Sequence, residues 1–350
     1  MAYTDIDKPN DYFNTVLYTG TGSGGSNREI TGVGFQPDFT WVKTRGSSQE
    51  HVLSDSVRGA TKALDSQATT EEETTSTRIG AFISDGFQLG SGSIQNRVNQ
   101  SGIGIASWNW LASNTTASNT DGSITSTVSA NTTSGFSIVS FDLTGQTGVK
   151  TVGHGLGTAP KVVITKRRSG GAGDWTSYFG AIGNSYLVLN STGASATNAD
   201  FMNNTAPTSS VFTVGDPTWW AQSPFIAYCF AEKKGFSKFG SYVGNGSTDG
   251  TFVYTGFKPA FVIIKRSSST SNWVMFDNKR DIDNVCHNTV YANLANAETT
   301  ADGKDIDMLS NGFKLRSNTT ETNGSGSTYI YMAFAENPFV TSTSIPTTAR

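Results

Sequence analysis

Short runs of alternating and continuous apolar residues recur along the chain in one order, three times over. A proline opens a strand-like run that ends in basic residues at Pro37-Asp-Phe-Thr-Trp-Val-Lys-Thr-Arg45, Pro160-Lys-Val-Val-Ile-Thr-Lys-Arg-Arg168 and Pro259-Ala-Phe-Val-Ile-Ile-Lys-Arg-Ser267. Upstream lies Val16-Leu-Tyr-Thr-Gly20, Val139-Ser-Phe-Asp-Leu143 or Phe239-Gly-Ser-Tyr-Val243. An apolar run closes each unit at 104–112, 224–232 and 328–336. From Pro37 to Trp110, Pro160 to Phe230 and Pro259 to Phe334 the spacing is 73, 70 and 75 residues. Asp85-Gly-Phe-Gln-Leu89 and Asn311-Gly-Phe-Lys-Leu315 form a fourth anchor, with Ser210-Val-Phe-Thr-Val214 as a degraded middle copy. Ordered anchors at near-constant spacing indicate an internal triplication.

The period inside each unit is that of a strand. Phe261-Val-Ile-Ile264 is continuously apolar, as a strand buried on both faces should be. Ser107-Trp-Asn-Trp110 puts Trp108 and Trp110 on one face, because strand side chains alternate. Asp85-Gly and Asn311-Gly between apolar runs are hairpin cues. Helical periodicity is nearly absent; residues 56–67 and 292–300 are the only weak helix candidates. The pattern predicts an all-β protein of three tandem β-sandwich domains, jelly-roll or concanavalin-like, each with its own core. The expected organisation is an N-terminal docking arm (1–11), repeat 1 (12–112), a Ser/Thr/Asn-rich linker (113–134), repeat 2 (135–233), repeat 3 (234–340) and a C-terminal tail (341–350).

Composition narrows the class. Charged residues make up 15% of the chain, against about 25% in an ordinary soluble domain. The chain carries 42 Ser, 47 Thr and 38 Gly, while aromatics hold at 11%, which excludes a disordered chain. A net charge of −3 argues against nucleic acid. No run approaches the ~20 apolar residues of a membrane span. The N-terminus lacks an apolar signal-peptide core. Cys229 and Cys286 are the only cysteines, so no disulfide scaffold is expected.

Candidate chemistry is sparse. His51, His154 and His287 occupy different repeat positions without metal-ligand spacing, and no G-x-S-x-G elbow is present. The tracts at 20–25 and 153–157 are glycine-rich but open no helix and lack Gly-Lys-Ser/Thr, so they read as hairpin loops. Asp281, Asp283, Asp302, Asp305 and Asp307 lack EF-hand spacing and read as solvated loop acids. Glu71-Glu-Glu73 reads as a solvated loop tip. The Lys43/Arg45, Lys166–Arg168 and Lys265/Arg266 sets mark where a strand leaves the core. Trp175 and Trp273 recur and read as core. Trp219-Trp220, in the proline-flanked loop beginning at Asp216, has no counterpart in the other units. It serves either recognition, by protein contact or sugar stacking, or packing on a neighbouring domain. Asp216 beside Trp219 is the one acid that a glycosidase reading can use, and that reading needs a second carboxylate about 5–9.5 Å away. No catalytic residue, cofactor or metal is assigned.

Three stretches carry a resemblance. They are Thr31-Gly-Val-Gly-Phe-Gln-Pro-Asp-Phe-Thr-Trp-Val-Lys43, the run 119–140, and Val152-Gly-His-Gly-Leu-Gly-Thr-Ala-Pro160. With the opening Met-Ala-Tyr-Thr and Asp11-Tyr-Phe-Asn-Thr15, they resemble an uncharacterised repeat family. That family occurs in virion and tail-associated proteins of tailed, mostly marine bacteriophages. The third unit departs from it, with Val253-Tyr-Thr-Gly-Phe-Lys-Pro259 in place of the His-Gly-Leu-Gly form. The resemblance implies a non-enzymatic protein on the virion exterior, made in the host cytoplasm: a tail fibre, tip or receptor-binding component. A capsid decoration or head-fibre protein is the alternative, and a polysaccharide-binding or depolymerase module ranks below both. Expected partners are other virion structural proteins, further copies of the chain, and a host surface glycan or protein. Tyr3, Ile6, Tyr12 and Phe13 are the expected anchors of the docking arm. Deleting residues 1–11 is then expected to leave a folded protein that fails to join particles.

Overall fold

The computed structural model describes residues 3–22, 27–91, 96–300 and 303–347. Among these the chain is nearly all β, with two helices of four residues each, Asn96–Asn99 and Ala199–Met202. Three stretches each build a main antiparallel sheet with the same strand order. An opening strand (Phe13–Thr19, Phe136–Asp142, Ser237–Val243) pairs with a closing strand (Gly104–Trp110, Pro224–Phe230, Thr328–Pro338). The closing strand pairs with the proline strand (Phe39–Thr44, Val162–Arg167, Phe257–Arg266), and that with a following strand (Val52–Asp55, Trp175–Phe179, Trp273–Asp277). The register recurs too: Trp110 lies between Phe13 and Phe39, Phe230 between Phe136 and Val162, and Phe334 between Ser237 and Phe261.

Period-2 alternation divides every main sheet into two apolar faces. One face packs on a small second sheet, giving three separate clusters: Val42, Val52 and Phe87; Val139, Val163 and Phe212; Val262, Val274 and Phe313. The other faces all meet in a single central cluster that includes Trp108, Trp110, Ile138, Ile164, Ile263 and Phe334. At its middle Trp110, Phe230 and Phe334 touch one another, with ring centroids 5.6–6.4 Å apart. The expectation of three separately cored domains therefore holds for only one face of each sheet. The largest apolar cluster belongs to all three units jointly.

Residues 113–134 run extended on the second unit: Ser126–Asn131 pairs along its opening strand and Ala117–Asn119 pairs with Ser126–Asn131 in turn. Val128 is buried there and Ile124 half-buried. Neither 56–67 nor 292–300 is helical. Asp55 accepts the Arg58 N–H (2.8 Å), and Leu53 and Leu64 exchange backbone bonds, which pins the first segment to the sheet. Ala292 donates to Trp273 O (3.0 Å), and Thr289 and Thr299 pair, so the second runs along its sheet. The Asp85-Gly and Asn311-Gly hairpins form as two-residue turns. Their glycines are required by close approach: a Cβ on Gly86 or Gly312 would lie 2.0 or 2.1 Å from the carbonyl oxygen of Ile30 or Val253.

Candidate functional site

Trp220 is not a surface platform. Its ring stacks on Phe201 in the Ala199–Met202 helix (5.6 Å, 6°), and its indole N–H donates to Phe201 O (3.0 Å). Trp219 is half-buried, edge-on to Tyr186 and Phe201. The pair thus packs within its own unit, because the short helix supplies an aromatic face at Phe201. Asp216 forms the loop turn, accepting the Thr218 N–H (2.8 Å). Truncating Trp220 to Ala is expected to cost about 3–5 kcal/mol in urea unfolding, and Trp219→Ala clearly less. Equal, small effects would contradict this packing.

The N-terminal anchors are likewise used inside the chain. Ile6 is 3% exposed in the central cluster, and Phe13 lies against Trp110 (4.9 Å) and Phe334 (5.1 Å). Tyr12 meets Phe236, and only Tyr3 is exposed. Asp5 N–H and the Thr4 hydroxyl both donate to Lys234 O, and Asp7 accepts the Ser342 N–H. Apart from Tyr3, the arm's expected anchors are packed into the chain's own core. A chain beginning at Tyr12 is therefore expected to lose about 2–5 kcal/mol, as for other removals of a buried Ile. An unchanged urea midpoint would restore the free-arm reading.

The remaining polar candidates are not gathered into a reaction site. His154 is buried between Thr208 O and the Leu156 N–H. Asp281 braces its loop by accepting from His287 N and Asn288 N, and Asp307 pairs with Arg316 (3.3 Å). Asp302 and residues 23–25 of the first glycine tract lie outside the described residues. Among the described residues no three His, Cys, Asp or Glu side chains cluster as for a metal. No helix among the described residues is long and apolar enough to cross a membrane. Burial raises the Cys286 thiol to about 12 and pushes Cys229 up as well, so neither is an activated nucleophile.

The most elaborate polar constructions lie between the units. Asp55 and Arg58 form a fully buried pair (2.5 Å), and the second unit's Tyr228 hydroxyl donates to Asp55 (2.7 Å). Glu72 joins Arg58 to the second unit's Arg168 (3.4 and 2.9 Å). The third unit repeats the arrangement against the first. Asp277 pairs with Arg280 (2.5 Å) and accepts from Trp108 Nε1 (3.0 Å), and Glu298 joins Arg280 to Arg45 (3.0 and 2.7 Å). Burial pulls the Arg280 guanidinium down, but Asp277 and Glu298 outweigh it and leave its pKa raised. In the second unit the matching residues are Phe179 and Ile182, and Phe179 meets the third unit's Trp273 at 5.9 Å. Met332, which stands where Trp108 and Tyr228 stand, offers no donor. At this position one seam is apolar and two are ionic. Glu72 is therefore not a solvated tip.

A second ring of contacts uses the start of each following strand. Trp175 Nε1 donates to Asp65 O of the first unit (2.9 Å), and Trp273 Nε1 to Val188 O of the second (3.1 Å). His51 holds the equivalent place. Its Nδ1 accepts from Trp41 Nε1 (2.8 Å), so Nε2 carries the proton and donates to Tyr291 O of the third unit (2.9 Å). Burial, reinforced by Lys43, lowers the His51 pKa to about 3, which keeps the ring neutral. Opposite these residues Lys43, Lys166 and Lys265 are fully buried, where the sequence suggested a strand leaving the core. Each ammonium donates to a carbonyl of another unit: Lys43 to Ala295 O (3.1 Å), Lys166 to Ala68 O (3.5 Å), Lys265 to Thr192 O (3.1 Å). Burial lowers all three to about 8.

These features define an all-β protein of paired sheets closed around one common core and tied at polar seams. The family described as a domain of unknown function, DUF7483, matches residues 8–338, and the chain belongs to that family. No curated protein and no solved structure matches the chain.

Proposed function

We propose that the protein is a non-enzymatic structural component of the exterior of a bacteriophage virion, in the tail apparatus as a fibre, tip or receptor-binding element. We propose also that its three units descend from one triplicated β-sandwich. The observation that carries the reading is the joint core, with a buried ion pair at each of two seams that takes a hydrogen bond from the neighbouring unit. Such a block suits an exposed assembly, where it must hold its shape while loops on a stable scaffold make contacts. A surface rich in Ser and Thr and poor in charge agrees with this role, as does the resemblance to tail-associated proteins. Partners are then neighbouring virion proteins, further copies of the chain and a host surface molecule.

Gold-labelled antibody fragments raised against the purified chain test this on particles of the phage that encodes it. The expected result is label on the tail at a few to a few dozen copies. Label over the whole shell at hundreds of copies would replace it with the capsid-decoration reading, and absence from particles would overturn both.

A further inference from the structure

The third unit opens a cleft of about 770 Å³, within the ~300–1,000 Å³ typical of ligand sites. Met308 and Ile282 give it an apolar side, and its polar lining includes Asn278, Asn311, Asn337, Lys258 and the carboxylates of Asp281 and Asp283. The asparagines differ from those that build the loop. Asn284, on the same rim, is committed to the backbone of Met308 through both its oxygen (2.8 Å) and its nitrogen (3.0 Å). The side-chain oxygen of Asn278 is buried with no hydrogen-bond partner. Asn311 and Asn337 have no side-chain hydrogen bond to any described residue. Lys258 is paired with Glu336 (2.7 Å), so its charge is already answered.

An aromatic shelf borders the cleft. Phe252 and Tyr254 project from the outer face of Phe252–Tyr254 and are 43% and 54% exposed. Tyr3 lies beside them, its hydroxyl 2.8 Å from that of Tyr254 and its ring 6.3 Å from Phe339. The shelf adjoins the cleft wall, because the Asn311 carbonyl accepts from Thr255 N (3.0 Å) and Gly256 N (3.1 Å).

Carboxamides offer donors and an acceptor together, which matches hydroxyl groups that do both. Exposed aromatic faces match the C–H face of a sugar ring. An anionic ligand would call for unpaired cations, and Lys258 is not one. We propose that this cleft and shelf bind a neutral saccharide, its hydroxyls on Asn311 and Asn337 and a ring face on Tyr254. The proposal deepens the receptor-binding reading and rests on it for the biological role alone.

The test is an array of neutral hexose and N-acetylhexosamine oligosaccharides probed with the purified full chain. Wild type is expected to bind at least one of them. Asn311→Ala and Tyr254→Ala should weaken that binding about tenfold or more each, as for a lost hydrogen bond or stacking contact. Tyr254→Phe, which keeps the ring, and Trp219→Ala should retain it. Unchanged thermal unfolding of the variants separates lost binding from lost folding. An array with no neutral glycan bound, or cleft variants that bind as wild type, would overturn the proposal. Particle labelling and glycan binding are separate measurements, so either reading can fail while the other stands.

Discussion

Asp277→Ala should lower the stability of the protein by about 3–5 kcal/mol, the cost of leaving one partner of a buried ion pair without the other. The Arg280 side chain is fully buried and would keep Glu298 alone as its counter-ion, at 3.0 Å, while Trp108 Nε1 would lose its acceptor. The surface pair of Lys238 with Glu232 is the control, and Lys238→Ala should cost under about 1 kcal/mol. The seam that lacks the ion pair suggests a rescue. A chain carrying Asp277→Phe, Arg280→Ile and Trp108→Met imports the residue types of that seam and should be more stable than Asp277→Ala, since apolar replacement of a whole buried pair is often near neutral. Urea midpoints with slopes compared measure all of these. A cost below about 1 kcal/mol for Asp277→Ala would show that the pair does not hold the seam.

Stability should rise from neutral to mildly alkaline pH. Lys43, Lys166 and Lys265 have pKa values of about 8 in the fold, against about 10.4 in the unfolded chain. Between these values the unfolded chain holds more protons, so each lysine adds roughly 1 kcal/mol of stability per pH unit as pH rises. Two sets of groups act in the opposite sense. Burial raises the thiols of Cys229 and Cys286 and the phenols of Tyr18, Tyr228 and Tyr242, so the fold keeps protons that the unfolded chain releases above about pH 8.5 and pH 10. On the acid side His51 stays neutral in the fold while the unfolded ring protonates below about pH 6.5, which removes stability as pH falls. The expected profile climbs from about pH 7 to about pH 9 and declines beyond about pH 10. Lys43→Met should remove about a third of the climb. A profile falling steadily from pH 7 would contradict the buried lysines.

The strands and the order in which they recur were legible because alternation and turn chemistry are local. Ser107-Trp-Asn-Trp110 announced a face with two tryptophans, and that face lies in the central cluster. Which face met which was not legible. Lys43, Lys166 and Lys265 read as strand ends because lysine is seldom buried, and the carbonyls that receive them come from other units. The Asp-x-x-Arg pairs at 55–58 and 277–280 did carry a signal, since they recur at one repeat position while the second unit has Phe179 and Ile182 there. The period also hid the fate of Trp220, whose burial depends on a four-residue helix too short to announce itself. The asparagines of the cleft are ordinary loop residues in sequence, and only geometry separates the committed Asn284 from Asn278.

A central cluster shared by all three units should make the chain unfold as one body. Differential scanning calorimetry of the full chain tests this most directly. The account predicts a single transition whose calorimetric and van't Hoff enthalpies agree. Two or three resolved transitions would contradict it, because they would mean that the units stand without one another.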